Sequence, residues 1–159
     1  MKISLPTDLD TILKPLFDEL PLHAAMGQLV VTRGASPAHK ALVEKLVKLP
    51  EVGANSALAA GLWLYVDELD RSHTISQNDS SPTGSYWHGI MHRREGDFSN
   101  SHYWFHRVGK HPAMSKLSNY DAHSFIDAVE ERHHTAPADL MALQRAEWAN
   151  LFAWCAQKE

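Results

Sequence analysis

The chain has one cysteine, Cys155, in 159 residues. That excludes an intrachain disulfide framework and suits a reducing compartment. Long apolar runs are missing too. The longest candidate, residues 58–69, is interrupted by Asp67 and Glu68 and falls well short of the ~20 residues that span a bilayer. The opening MKISLPTDLDTILKPLF has no continuous apolar stretch, so the expectation is no secretory leader, no membrane partner and a cytoplasmic location. Excess positive charge is absent: the formal net charge is −4 with histidines neutral, which argues against a general nucleic-acid binder. The only tight basic cluster is His92-Arg93-Arg94. There is no Gly-rich phosphate loop, no GxSxG and no HExxH. Internal repeats, low-complexity tracts and linkers are absent as well, so residues 1–159 are expected to form one domain.

Apolar residues recur at helical spacing through most of the chain, with Pro and Gly at short connections. Residues 7–20 carry Leu9, Ile12, Leu13, Leu16 and Phe17 on one stripe, with a kink or break expected at Pro15. Ser36-Pro37 is a helix start, and the helix after it should reach about Leu49 before Pro50 stops it. Leu29 to Thr32 has a short extended character. Asn55 or Ser56 opens the most apolar segment, SALAAGLWLYVDELDRSH, expected as one helix. SQNDSSPTGS reads as a turn or mobile loop. SYWHGIMHRRE follows as a helix ended by Gly96, and NSHYWFHRV as another, capped by Asp97 or Ser99 and ended by Gly109. Two more helices are expected, over about 118–134 and from Pro137 onward. The fold class is therefore all-α, a single domain of several helices with short loops.

What the chain has in abundance is histidine. It carries 11, and six lie between positions 73 and 111. His88 and His92 in HGIMH stand at i, i+4, which stacks two imidazoles on one helix face. Glu95 falls within about 60° of them on the helical wheel. Two imidazoles and a carboxylate suit a first-row transition metal, and His73 is the candidate third ligand. Asp70, three residues earlier, would orient the His73 ring. Spacing of this kind also arises by chance, and Glu95 could equally pair with Arg93 or Arg94 on the surface. HYWFH supplies a second pair, His102 and His106, and spacing leaves open whether it joins the first. Tyr86, Trp87, Tyr103 and Trp104 accompany the histidines and would serve either as pocket walls or as core.

The segment GSYWHGIMHRREGDFSNSHYWFHRVGKHP resembles the centre of a family of bacterial and fungal proteins to which no activity is attached. The resemblance extends to LDRSHTISQ before it and EWANLFAWC at the end. It implies that His73, His88, His92, Glu95 and Asp97 belong to a shared pattern. Other basic residues stand in that family at the positions of His102 and His106.

Two functions of different class follow. One is a metal-dependent enzyme acting on a small molecule, with His73, His88 and His92 as ligands to zinc or iron and Glu95 and Asp97 as acid–base or supporting groups. Hydrolysis and oxidation stay open. The other is a non-catalytic helical module whose pocket is lined by Tyr86 and Trp87, with Arg93 and Arg94 reading an anionic ligand or partner. A purely structural role for the histidines is a third possibility. The geometry that separates these readings is the distance from His73 to His88 and His92. A metal centre needs ring nitrogens roughly 3–4 Å apart on one concave surface, with residues 74–85 as a rim or lid.

Overall fold

Capping chemistry sets most of the helix boundaries. In the computed structural model, which describes residues 1–157, Ser36 accepts a hydrogen bond from the His39 N–H and opens α2 (Pro37–Leu46) with Pro37 in its first turn. Asn55 accepts from the N–H groups of Ala57 and Leu58 and opens α4 (Ser56–Tyr65). Ser81 does the same for α6 (Pro82–Glu95) through the Gly84 N–H, and Asp97 for α7 (Phe98–Val108) through the Asn100 N–H. Asp121 caps α8 (Ala122–Arg132). With α1 (Thr7–Glu19), α3 (Pro50–Gly53), α5 (Leu69–Ser76) and α9 (Ala138–Ala156), the described residues are all-α and contain no strand. No helix among them is long and apolar enough to cross a membrane.

Several boundaries differ from the expectation. Pro15 lies inside α1 without ending it. Pro50 does not simply stop α2, which finishes at Leu46; it starts the short α3. The stretch from Leu29 to Thr32 forms bends rather than a strand, tied by bonds from the Val31 N–H to the Arg94 carbonyl and from the Thr32 N–H to Gln28 Oε1. The helix expected over 118–134 is confined to Ala122–Arg132, because Asp121 supplies the cap.

The largest difference lies in SALAAGLWLYVDELDRSH. Asp67 adopts a left-handed conformation, φ 67°, and divides the segment into α4 and α5. Its carboxylate is held at 2.6 Å by the Arg94 guanidinium, 27 residues away in sequence. The chain then doubles back, and the Ser72 hydroxyl donates to the Ala60 carbonyl at 2.9 Å. This reversal turns α5, and His73 with it, toward α6. Residues 74–85 are not a lid: α5 runs to Ser76 and α6 begins at Pro82, so only a tight connection remains.

α6 is the central helix. Its residues 84–94 are all buried, which explains why the segment shows no amphipathic stripe. α7 runs back along it at close range. The Ser101 hydroxyl donates to the Gly89 carbonyl at 2.7 Å, and a Cβ on Gly89 would meet the Phe105 ring at 2.8 Å. Gly89→Ala is therefore expected to destabilise the fold by about 1–2 kcal/mol. Overpacking of a buried contact costs about 1–3 kcal/mol, and the better helix propensity of alanine returns up to about 1. Urea unfolding of the two proteins measures the difference; an alanine variant as stable as the parent would contradict this contact.

Candidate metal centre

α5 and α6 bring together the three histidines singled out in the sequence. His73 comes from α5, His88 and His92 from successive turns of α6. Each offers a ring nitrogen, and the three nitrogens lie within 4.8 Å of one another. The His88 and His92 rings stack with centroids 4.7 Å apart and 20° between planes. His73 stands edge-on to both, at 4.8 Å from His88 and 5.3 Å from His92. A group of this kind could hold a metal ion.

Burial is graded across the cluster. His88 is 3% exposed and His92 6%, while His73 is only half-buried. Trp104, from α7, covers the other face of His88 in a parallel stack at 3.8 Å. His88 is thus held between Trp104 and His92, and its Nδ1 is buried without a hydrogen-bond partner among the described residues. Burial, then the neighbouring His92 and His73, push its pKa down to about 4, so the ring is neutral in the range where imidazole must be neutral to bind a metal.

That shift has a thermodynamic consequence in the metal-free protein. His88 takes up a proton near pH 6.5 when unfolded and near pH 4 when folded. The contribution of its neutral burial is fully present above pH 6.5 and is lost as pH falls from 6.5 through 4. Chelator-treated protein should show a steep loss of stability over that window, and His88→Asn should flatten it. An unchanged pH slope in the variant would refute the assignment.

His92 is oriented by a carboxylate. Its Nδ1 lies 2.7 Å from Glu95 Oε1, one turn further along α6. With Nδ1–H donating to Glu95, Nε2 carries the lone pair. Glu95 itself is exposed. Asp97 is also exposed and uses Oδ1 to cap α7 through the Asn100 N–H, at 3.2 Å. His92, Glu95 and Asp97 form a second, overlapping group with ligand atoms within 4.8 Å. The three-histidine group is the better donor set. In the other, the His92 nitrogen nearest the acids is already engaged with Glu95, and one Asp97 oxygen is engaged in the cap.

The turn that carries these residues is locally determined. Gly96, at φ 85°, ends α6: its N–H bonds to the Arg93 carbonyl and the Asp97 N–H to the His92 carbonyl, a Schellman pattern. It reverses the chain so that α7 lays Trp104 on His88. Asp70, expected to orient His73, is exposed and makes no hydrogen bond to that ring among the described residues.

Arg93, Arg94, Tyr86 and Trp87 lie in the interior. Both arginines are 0% exposed. Arg93 makes two hydrogen bonds to Glu147 of α9, at 2.7 and 3.1 Å, with its guanidinium over the Phe125 ring. Tyr120 donates to the same Glu147 carboxylate. Arg94 binds Asp67 and the carbonyls of Leu64 and Gln28. Tyr86 and Trp87 are packed in the core, Trp87 within 6.4 Å of Trp148. These four residues line no surface in this structure, and an anionic ligand has no access to the two guanidinium groups. Surface clefts of about 250–570 Å³ are lined by other residues, so the histidine cluster sits beside Trp104 rather than on the floor of one of them.

His102 and His106 do not join His88 and His92. Both turn toward α8, where His102 meets His123 and Asp127. Trp104 over His88, and Glu147 and Asp67 opposite the two arginines, are contacts that sequence spacing does not signal. No family model matches the chain, and neither a curated protein nor a solved structure matches it.

Proposed function

We propose that this protein is a zinc-dependent enzyme acting on a small molecule by hydrolysis. The observation that carries the reading is the donor set. His73, His88 and His92 supply three neutral nitrogens, and the carboxylate that would complete a two-histidine, one-carboxylate iron site is turned to His92 Nδ1 instead. Three imidazoles would leave the ion's charge uncompensated, and a zinc ion held by them would supply Lewis-acid chemistry. His73 is the least enclosed of the three, and an ion and substrate would enter past it. Glu95 fixes the tautomer of His92. Asp97 also places a carboxylate oxygen within 4.8 Å of a His92 nitrogen, and beside Glu95 it would support that ring rather than hold the ion. The half-buried Trp104, stacked on the buried His88, shields that ring from solvent.

The test is elemental analysis of tag-free protein from metal-replete cells, followed by assay against activated esters, phosphoesters and amides. Near-stoichiometric zinc and a hydrolytic rate that a chelator removes and zinc restores are expected. Folded protein without bound metal would refute the reading. Stoichiometric iron with an oxygen-dependent activity would replace hydrolysis with oxidation. Glu95→Gln is expected to keep the fold and weaken zinc binding by about 10–100-fold, the usual effect of losing an outer carboxylate on a ligating histidine. Unchanged affinity in a competition titration would remove Glu95 from the centre.

A further inference from the structure

The second histidine pair has its own partners. His102, on α7, lies with Nδ1 2.8 Å from Nδ1 of His123 on α8. The two rings are parallel, 1° apart in plane, with centroids at 5.1 Å. On its other side, His102 Nε2 lies 2.9 Å from Asp127 Oδ1. His106, one turn further along α7, packs on His123 with centroids at 4.4 Å. Three imidazoles from two helices therefore meet at one place, remote in sequence from His73 and not shared with the first cluster.

We propose that His102 and His123 form a second metal site, a two-imidazole site taking a divalent ion with a preference for imidazole such as zinc, nickel or copper, with His106 packed on the His123 ring beside it. The hydrogen bonds dictate the ligand atoms. Asp127 accepts the His102 Nε2–H, which leaves the Nδ1 lone pair pointing at His123. This is the carboxylate–histidine arrangement that orients ligating imidazoles. Two nitrogens at 2.8 Å need to part only slightly to accept an ion at ~2.1 Å from each. The proton now shared between them leaves Nδ1 and moves through solvent to Nε2 of His123, so both rings stay neutral. Burial, then His106 and His102, lower the His123 pKa, which opposes a protonated ring at this position. The cluster is open to entry, with the His102 side chain 28% exposed and Asp127 70%. A metal there joins α7, whose Trp104 covers the first cluster, to α8.

The site does not depend on the reading of the first cluster, and one experiment separates them. Chelator-treated full-length protein is titrated with Zn²⁺ by calorimetry, in the wild type, in His88→Ala/His92→Ala, and in His123→Asn. Two equivalents are expected in the wild type. The α6 double variant should lose one and keep the other, and His123→Asn should weaken the remaining one at least tenfold. Asp127→Asn should weaken it in the same sense. As a check that needs no variant, sub-stoichiometric Cu²⁺ should broaden the NMR imidazole signals of His102 and His123 in the wild type. A single equivalent that vanishes in the α6 double variant would overturn this second site while leaving the first intact. Zinc binding in the α6 double variant that is unmoved by His123→Asn would also overturn it.

Discussion

Replacing His88 and His92 together by alanine is expected to abolish metal binding at the α5–α6 cluster while the helical fold persists. The two rings supply two of the three neutral nitrogens, and His73 alone retains an ion only weakly. Structurally the variant is tolerable. Alanine is the best helix former, and both positions lie inside α6. The cost comes from the void beneath Trp104, which loses the stacked His88 ring, and it is offset by removing a buried nitrogen that has no partner. Far-UV circular dichroism and zinc content measured on the same sample give the answer. A folded variant that keeps the zinc lost on chelation from His73, His88 and His92 in the parent would refute the centre.

Glu147→Ala is expected to be the most damaging single substitution of a charged residue. Arg93 and Glu147 are both fully buried and bonded to each other, and Tyr120 donates to the same carboxylate. Removing Glu147 strands a guanidinium charge in the core and leaves the Tyr120 hydroxyl without its acceptor. Breaking a buried pair from one side costs about 3–5 kcal/mol. For a chain of this size that lowers Tm by roughly 6–20 °C. Replacing both partners by apolar residues, Arg93→Met with Glu147→Leu, leaves no unpaired charge and should recover much of the loss. Thermal unfolding of the three proteins tests this. If the single variant unfolds within about 2 °C of the parent, the pair is not a structural pin.

The candidate site was legible in the sequence where it depends on one helix. His88, His92 and Glu95 share a face of α6 because four and three residues approximate a turn, and the His92–Glu95 bond follows from that spacing. The sequence also points to His73 as the third donor, but not to the route that brings it there. The expected path was a single apolar helix and then a long polar loop. The actual path is a break at Asp67 and a helical return. Apolar periodicity runs through the break unbroken, because the residue that holds Asp67 in its left-handed conformation is Arg94, from a distant segment. The same blindness placed Arg93 and Arg94 on a ligand-facing surface. Two adjacent arginines near a helix end read as solvated or as anion-binding, and nothing local reveals that Glu147 and Asp67 await them inside the core.

What the sequence determined by itself is what short-range physics controls. Ser36, Asn55, Asp97 and Gly96 mark helix ends, since a cap needs only neighbouring backbone groups. Helical periodicity determined the all-α class, and i, i+4 spacing determined the two imidazole pairs. Tertiary structure alone decided which partners those pairs face. α6 turned His88 and His92 to His73 and Trp104, and α7 turned His102 and His106 to His123 and Asp127. Both outcomes depend on how helices far apart in sequence pack around an α6 that is buried from Gly84 to Arg94. A helix buried on every side carries no stripe in its sequence to say which neighbour lies where.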